Sequence, residues 1–126
     1  MEESFSVQIT EEMMDNFLSI TSDKNPLHCD ETFAIDKGFS SRVVYGMLTA
    51  SFLSTLAGMY LPGKNSLIYS VDVNFAQPVF IGDHLRIKGV VFELDVRFRC
   101  FRMKVSITNQ DGKKVVRGSM KVGVRE

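Results

Sequence analysis

The stretch Met47–Leu61, MLTASFLSTLAGMYL, followed after Pro62-Gly63 by Ser66–Phe75, SLIYSVDVNF, decides the fold. The first segment is apolar almost all round, with Thr49, Ser51, Ser54 and Thr55 as its polar positions. That pattern predicts a helix enclosed on most sides, not a surface helix with one apolar stripe. Its length as a helix is about 22 Å, short of the roughly 30 Å of a bilayer core. A buried core helix is therefore the better reading than a membrane span. Pro62-Gly63 ends it. The second segment alternates, with Leu67, Tyr69, Val71, Val73 and Phe75 on one face, and predicts a strand.

Toward the C-terminus, Leu85–Val96 and Phe98–Thr108 are rich in Val, Ile and Phe and read as strands. Asp111-Gly112 signals a tight turn. In the last strand Val116, Met120, Val122 and Val124 form the apolar side and Arg117, Lys121 and Arg125 the polar side. Toward the N-terminus, Ser4–Ile9 alternates and predicts a short strand carrying Phe5, Val7 and Ile9. Thr10 is suited to cap a helix whose first turn holds Glu11 and Glu12 and whose apolar face is Met13, Met14, Phe17 and Leu18. Residues 21–46 read as irregular apart from one short helix, capped by Asp30 and stopped at Gly38. The result is a single α+β domain over residues 1–126, an antiparallel sheet covering one long helix.

The 126 residues are 44% hydrophobic and 24% charged, ordinary for a globular domain and unlike a disordered, collagenous or disulfide-stapled chain. Fifteen basic residues balance fifteen acidic ones, which argues against nucleic acid as a partner. Cys29 and Cys100 form no CxxC pair, and no residues have metal-site spacing. The acidic N-terminus does not read as a signal peptide. The expectation is a cytoplasmic protein with reduced thiols and no membrane association.

The densest polar cluster is Ser22–Asp30, SDKNPLHCD. Pro26 holds Asn25 out of helical geometry, so the chain turns or extends there. Asp23 and His28 stand five residues apart across that bend. A carboxylate beside an imidazole is a standard pair for moving protons near neutral pH. On these residues alone, an Asp and a His near a turn are more often capping or surface residues than a catalytic pair.

The flanks make the arrangement specific. Residues 21–28, TSDKNPLH, with Asp30 and Ala34, resemble the signature of the MaoC-like, (R)-specific enoyl-CoA hydratases. The resemblance continues in VVYGM at 43–47, LPGK at 61–64 and FAQPVFIGD at 75–83, and covers the chain from about residue 5 to 124. It implies a hot-dog fold, a long central helix wrapped by a curved antiparallel sheet, and a homodimer with the acyl-thioester tunnel near the interface. Carried over by position, Asp23 and His28 are the catalytic pair. The Gly46 N–H is the oxyanion donor, Ser54 a hydroxyl that helps hold the catalytic groups, and Asn25 the support of the loop. The implied reaction is addition or removal of water across a 2-enoyl thioester. Coenzyme A is part of the substrate, and neither a cofactor nor a metal is required.

Two positions depart from the family pattern. Ser22 stands where glycine is usual, and would be strained if that glycine serves a positive φ. Tyr45 replaces a histidine before Gly46-Met47, and its larger ring is expected to reshape the site. Two other functions fit the fold: an acyl-CoA thioesterase in which Asp23 activates water, and a non-catalytic acyl-thioester-binding module. The DxNPLH segment favours the hydratase. His84 reads as a surface residue and Cys29 as a buried thiol. Arg97, Arg99 and Arg102 read as one solvated strand face, with contact to coenzyme A phosphates as the alternative.

Overall fold

The computed structural model describes residues 1–126. Along the chain come β1 (Glu2–Gln8), α1 (Glu11–Thr21), α2 (Pro26–Cys29), α3 (Glu31–Asp36) and α4 (Gly46–Thr55), then β2 (Ser66–Phe75), β3 (His84–Asp95), β4 (Cys100–Thr108) and β5 (Lys114–Val124). The strands form one sheet in the order β1-β3-β4-β5-β2, every neighbouring pair antiparallel. Strands β1 and β2 are its edges.

Alternation in β3, β4 and β5 sends Leu85, Ile87, Met103, Val105, Ile107, Met120 and Val122 to one face. Leu53, Leu56 and Ala57 of the central helical segment share their core. Each fully buried Leu contributes roughly 1.5–3 kcal/mol relative to exposure. The close approach needs Gly89, where a Cβ would stand 2.8 Å from Leu56 Cδ2 and 2.9 Å from Met103 Sδ.

The caps hold as the sequence predicts. Thr10 Oγ1 accepts from the Met13 N–H at 3.2 Å, Asp30 Oδ1 from the Phe33 N–H at 3.2 Å, and Gly38 takes a φ of +96°. Other boundaries differ. The long helix divides, its last turn from Leu56 to Tyr60 being π-helical and closed by Leu61 N–H donating to the Leu56 carbonyl at 2.9 Å. Nor is it enclosed within one chain: Met47, Ser51, Ser54, Thr55 and Met59 form an exposed strip. The segment between Ser22 and Gly46 holds two short helices, not one.

Strand β2 does not keep one apolar face. Ile68 pairs with Val122 and Ser70 with Lys121, so Tyr69 is an extra residue in a β-bulge. The bulge reverses parity: Leu67 pairs with Gly123, whereas Val71, Val73 and Phe75 pair with Met120, Gly118 and Val116 of the core-facing row. The strands β3 and β4 stop short of their expected ends, because residues 96–99 make the turn between them. Asp95 Oδ1 accepts from the Phe98 N–H at 3.2 Å, a local bond that competes with the ladder. Arg97 and Arg99 therefore sit in that turn and only Arg102 lies on a strand, so the three do not form one strand face.

Candidate active site

The site is built on the polar run after α1. Ser22 ends that helix in the left-handed conformation, φ 57°, with its N–H donating to the Leu18 carbonyl at 2.7 Å. This is the position where glycine avoids a Cβ penalty, so the departure at Ser22 carries backbone strain. The strain does not unravel the loop beyond it. Asp23 N–H donates to Thr21 Oγ1 at 3.2 Å, Asn25 N–H to Asp23 Oδ1 at 3.1 Å, and Leu27 N–H to Asn25 Oδ1 at 2.9 Å. Asn25 is thus the N-cap of α2, with Pro26 as its first residue. One turn of helix then lifts His28 toward the core.

His28 Nδ1 lies 2.6 Å from the Val43 carbonyl oxygen. A carbonyl only accepts, so Nδ1 carries the hydrogen and neutral His28 presents a bare Nε2. The ring stacks on Tyr45, centroids 4.3 Å apart at 29°. Tyr45 is 3% exposed, its hydroxyl donates to the Asp23 carbonyl at 2.8 Å, and its ring also meets Phe17 at 4.9 Å. The substitute for histidine therefore braces both sides of the pair. Burial, and then the Cys29 thiol 3.6 Å away, push the Tyr45 phenol up to about 12. Cys29 itself is exposed, correcting its reading as a buried thiol: its place at the end of α2 turns it outward.

Gly46 opens α4. As first residue of the helix its N–H has no carbonyl one turn earlier to meet, and Tyr45 makes no side-chain cap. The Phe75 ring rests on it, 3.2 Å from where a Cβ would stand. Asp23, His28, Tyr45 and Gly46 line one cavity of about 300 Å³ with Thr21, Phe17, Met47 and Phe75. A neighbouring cavity of about 310 Å³ shares His28, Gly46 and Phe75 and continues past Thr49, Ala76, Val79, Val115 and Val116. Asp23, His28 and Gly46 thus line one cavity together. Asn25 is exposed in the loop as the cap of α2 and lines neither cavity. Ser54 is exposed two turns farther along the helix and lines neither, so one chain does not bring it to the pair.

Sequence reasoning missed the Val43 carbonyl, since any residue supplies one, and the place of Phe75 in the site, having read it as a strand residue and the first residue of the 75–83 motif. No three His, Cys, Asp or Glu side chains cluster as metal ligands. His84 is on the surface as expected.

Comparison with known proteins bears on this geometry. The chain is 38% identical over 100 residues to a 3-hydroxybutyryl-CoA dehydratase of Methylorubrum extorquens, a match covering 79% of this chain and 62% of that protein. It is 44% identical over 69 residues to an (R)-specific enoyl-CoA hydratase of Aeromonas caviae, covering 55% of this chain and 52% of that one. The matches thus span about half to three-fifths of those relatives' length. The solved structure of an (R)-hydratase from A. caviae superposes with a TM-score of 0.94 at 31% identity, covering 98% of this chain and 94% of that one. Its hot-dog architecture is the fold of this chain. The family model described as "MaoC like domain" matches residues 1–115, and the chain belongs to that family.

Proposed function

We propose that the protein is an (R)-specific enoyl-CoA hydratase, or 3-hydroxyacyl-CoA dehydratase in the reverse direction. One observation carries the reading: Asp23, His28 with its Nδ1 held by the Val43 carbonyl, and Gly46 at the start of α4 line one cavity. Water held between Asp23 and His28 gives a proton to Nε2 as its oxygen bonds to C3 of the enoyl thioester. Charge then grows on the thioester oxygen, where the Gly46 N–H and the positive end of α4 stabilise it. The enolate collapses as C2 takes a proton from the same pair, on the same face. Nothing is oxidised or reduced, so the reading assigns no cofactor. Tyr45 positions rather than reacts, because its phenol stays protonated near neutral pH.

The reading includes a homodimer. Strand β2 is an unpaired edge; Met47 and Phe75 remain 65% and 50% exposed beside the site, and Val71 farther along the strand is 46% exposed. Pairing two β2 edges across a two-fold axis would cover them and bring a second chain close to Ser54. Free Cys29 and Cys100 support a cytoplasmic location, and no helix is long and apolar enough to cross a membrane. The test is loss of ultraviolet absorbance of the conjugated thioester with crotonyl-CoA and longer 2-enoyl-CoA substrates. Hydration at enzymatic rates is expected; hydrolysis of the thioester without hydration would instead assign a thioesterase.

A further inference from the structure

Charge is segregated along this neutral chain. Residues 1–60 hold nine acidic and three basic side chains, and residues 61–126 hold six acidic and twelve basic. The sheet displays much of the basic half on the face away from the core. Lys88 pairs with Ser106, Ser106 with Arg117, and Lys114 with Thr108, so these residues neighbour one another across three strands. Together with Lys104 they line a groove of about 600 Å³ that no acidic side chain enters. Lys88 Nζ meets Glu2 at 3.1 Å, whereas Lys104, Lys114 and Arg117 have no ion-pair partner.

The groove and the active-site cavity lie on opposite faces of β5, and that strand begins at Lys114, so a ligand in both rounds the end of the sheet there. Lys114 and Arg117 line the groove, and Val115 and Val116 between them line the cavity that reaches His28 and Gly46. We propose that the groove binds the phosphate-bearing end of the acyl thioester, an inference that rests on the hydratase reading. A phosphopantetheine thioester joins an uncharged arm, suited to the largely apolar cavity, to a phosphate end. The terminal phosphate of coenzyme A carries about −1.5 to −2 charges, and its diphosphate and a carrier protein's phosphodiester carry one charge per phosphorus. All pair with Arg and Lys, and the Ser106 and Thr108 hydroxyls add donors. The phosphates are those of coenzyme A or that of an acyl carrier protein; the chemistry is common to both. Binding energy gained so far from C3 anchors the reacting end.

The experiment compares crotonyl-CoA, crotonyl-pantetheine and a crotonyl-loaded acyl carrier protein on the wild type, Lys114→Glu/Arg117→Glu and the milder Lys114→Gln/Arg117→Gln. Removing two exposed charge pairs is expected to raise KM for crotonyl-CoA about threefold in the Gln variant, and reversal about tenfold, with kcat held. KM for the pantetheine thioester, which lacks phosphate, stays within about twofold. Calorimetric titration with coenzyme A alone reads the groove without chemistry and should show the same loss of affinity. A rise confined to the carrier-protein substrate keeps the phosphate site and assigns it to the carrier. Unchanged coenzyme A affinity and unchanged KM for both phosphorylated substrates overturn the proposal, as does an equal rise with crotonyl-pantetheine. A wild type that binds coenzyme A through Lys114 and Arg117 yet hydrates no enoyl thioester would sink the hydratase reading and leave the groove standing.

Discussion

The loop from Thr21 to Gly46 and the strip formed by α4 and β2 both face the candidate site, on opposite terms. In the loop, polar groups are satisfied within a few residues: Thr21, Asp23, Asn25 and Asp30 each accept a nearby backbone N–H. In the strip, apolar side chains stay in solvent, Met47 at 65% exposure and Phe75 at 50%. Short-range hydrogen bonds complete a loop within one chain. Apolar burial needs area, and a domain of this size covers only about two-thirds of its unfolded-chain surface. On the proposed reading the loop carries the chemistry, and the exposed strip is where a second chain would pack.

The largest effects belong to the loop. His28→Ala and Asp23→Asn should each lower turnover on crotonyl-CoA at least about 10²-fold, with circular dichroism and melting close to wild type. Near-normal turnover by either purified variant would move the chemistry elsewhere. The next concerns the strip. Val71→Lys on β2 should shift the protein from dimer to monomer by light scattering at micromolar concentration and lower activity at least about tenfold. A wild type that is monomeric and fully active would show that the exposed strip needs no second chain.

Much of this division was legible in the sequence, and where it failed the cause is physical. Thr10, Asn25-Pro26 and Asp30 announce helix starts because their capping bonds span two or three residues. The alternation of β3 to β5 reports one buried face because the core takes up that whole row. The bulge at Tyr69 was not legible, since inserting one residue leaves the composition of β2 unchanged while reversing its parity. Nor was the exposed side of α4, whose all-round apolarity looks alike whether the same chain or another covers it. In the site, Asp23, His28 and Gly46 came from the resemblance to the family's motifs, since spacing alone marks Asp23 and His28 only weakly and Gly46 not at all. The tautomer of His28 depends on a backbone carbonyl fifteen residues away, which no side-chain pattern records.

Two smaller predictions sharpen the loop's side of the contrast. Tyr45→Phe keeps the stack on His28 but removes the hydroxyl from the Asp23 carbonyl, and should cost about 0.5–1.5 kcal/mol in urea denaturation. The raised Tyr45 pKa adds a pH signature. Unfolded tyrosine ionises near 10 and the folded group near 12, so its stabilisation is complete below pH 10 and falls as the pH rises toward 12. The Phe variant should show a shallower alkaline decline; an identical decline would mean that Tyr45 is not the group responsible. Ser22→Gly should raise stability by about 0.5–1 kcal/mol, by relieving the left-handed serine, with activity unchanged or higher.

The proposed mechanism turns on one water working on one face of the substrate. Hydration of crotonyl-CoA in D₂O, with the product's coupling constants read by NMR, tests it most directly. The prediction is a single deuterium at C2, syn to the new C3 hydroxyl, in one enantiomer of the 3-hydroxy product. Anti addition, a mixture of diastereomers, or thioester cleavage without hydration would contradict it.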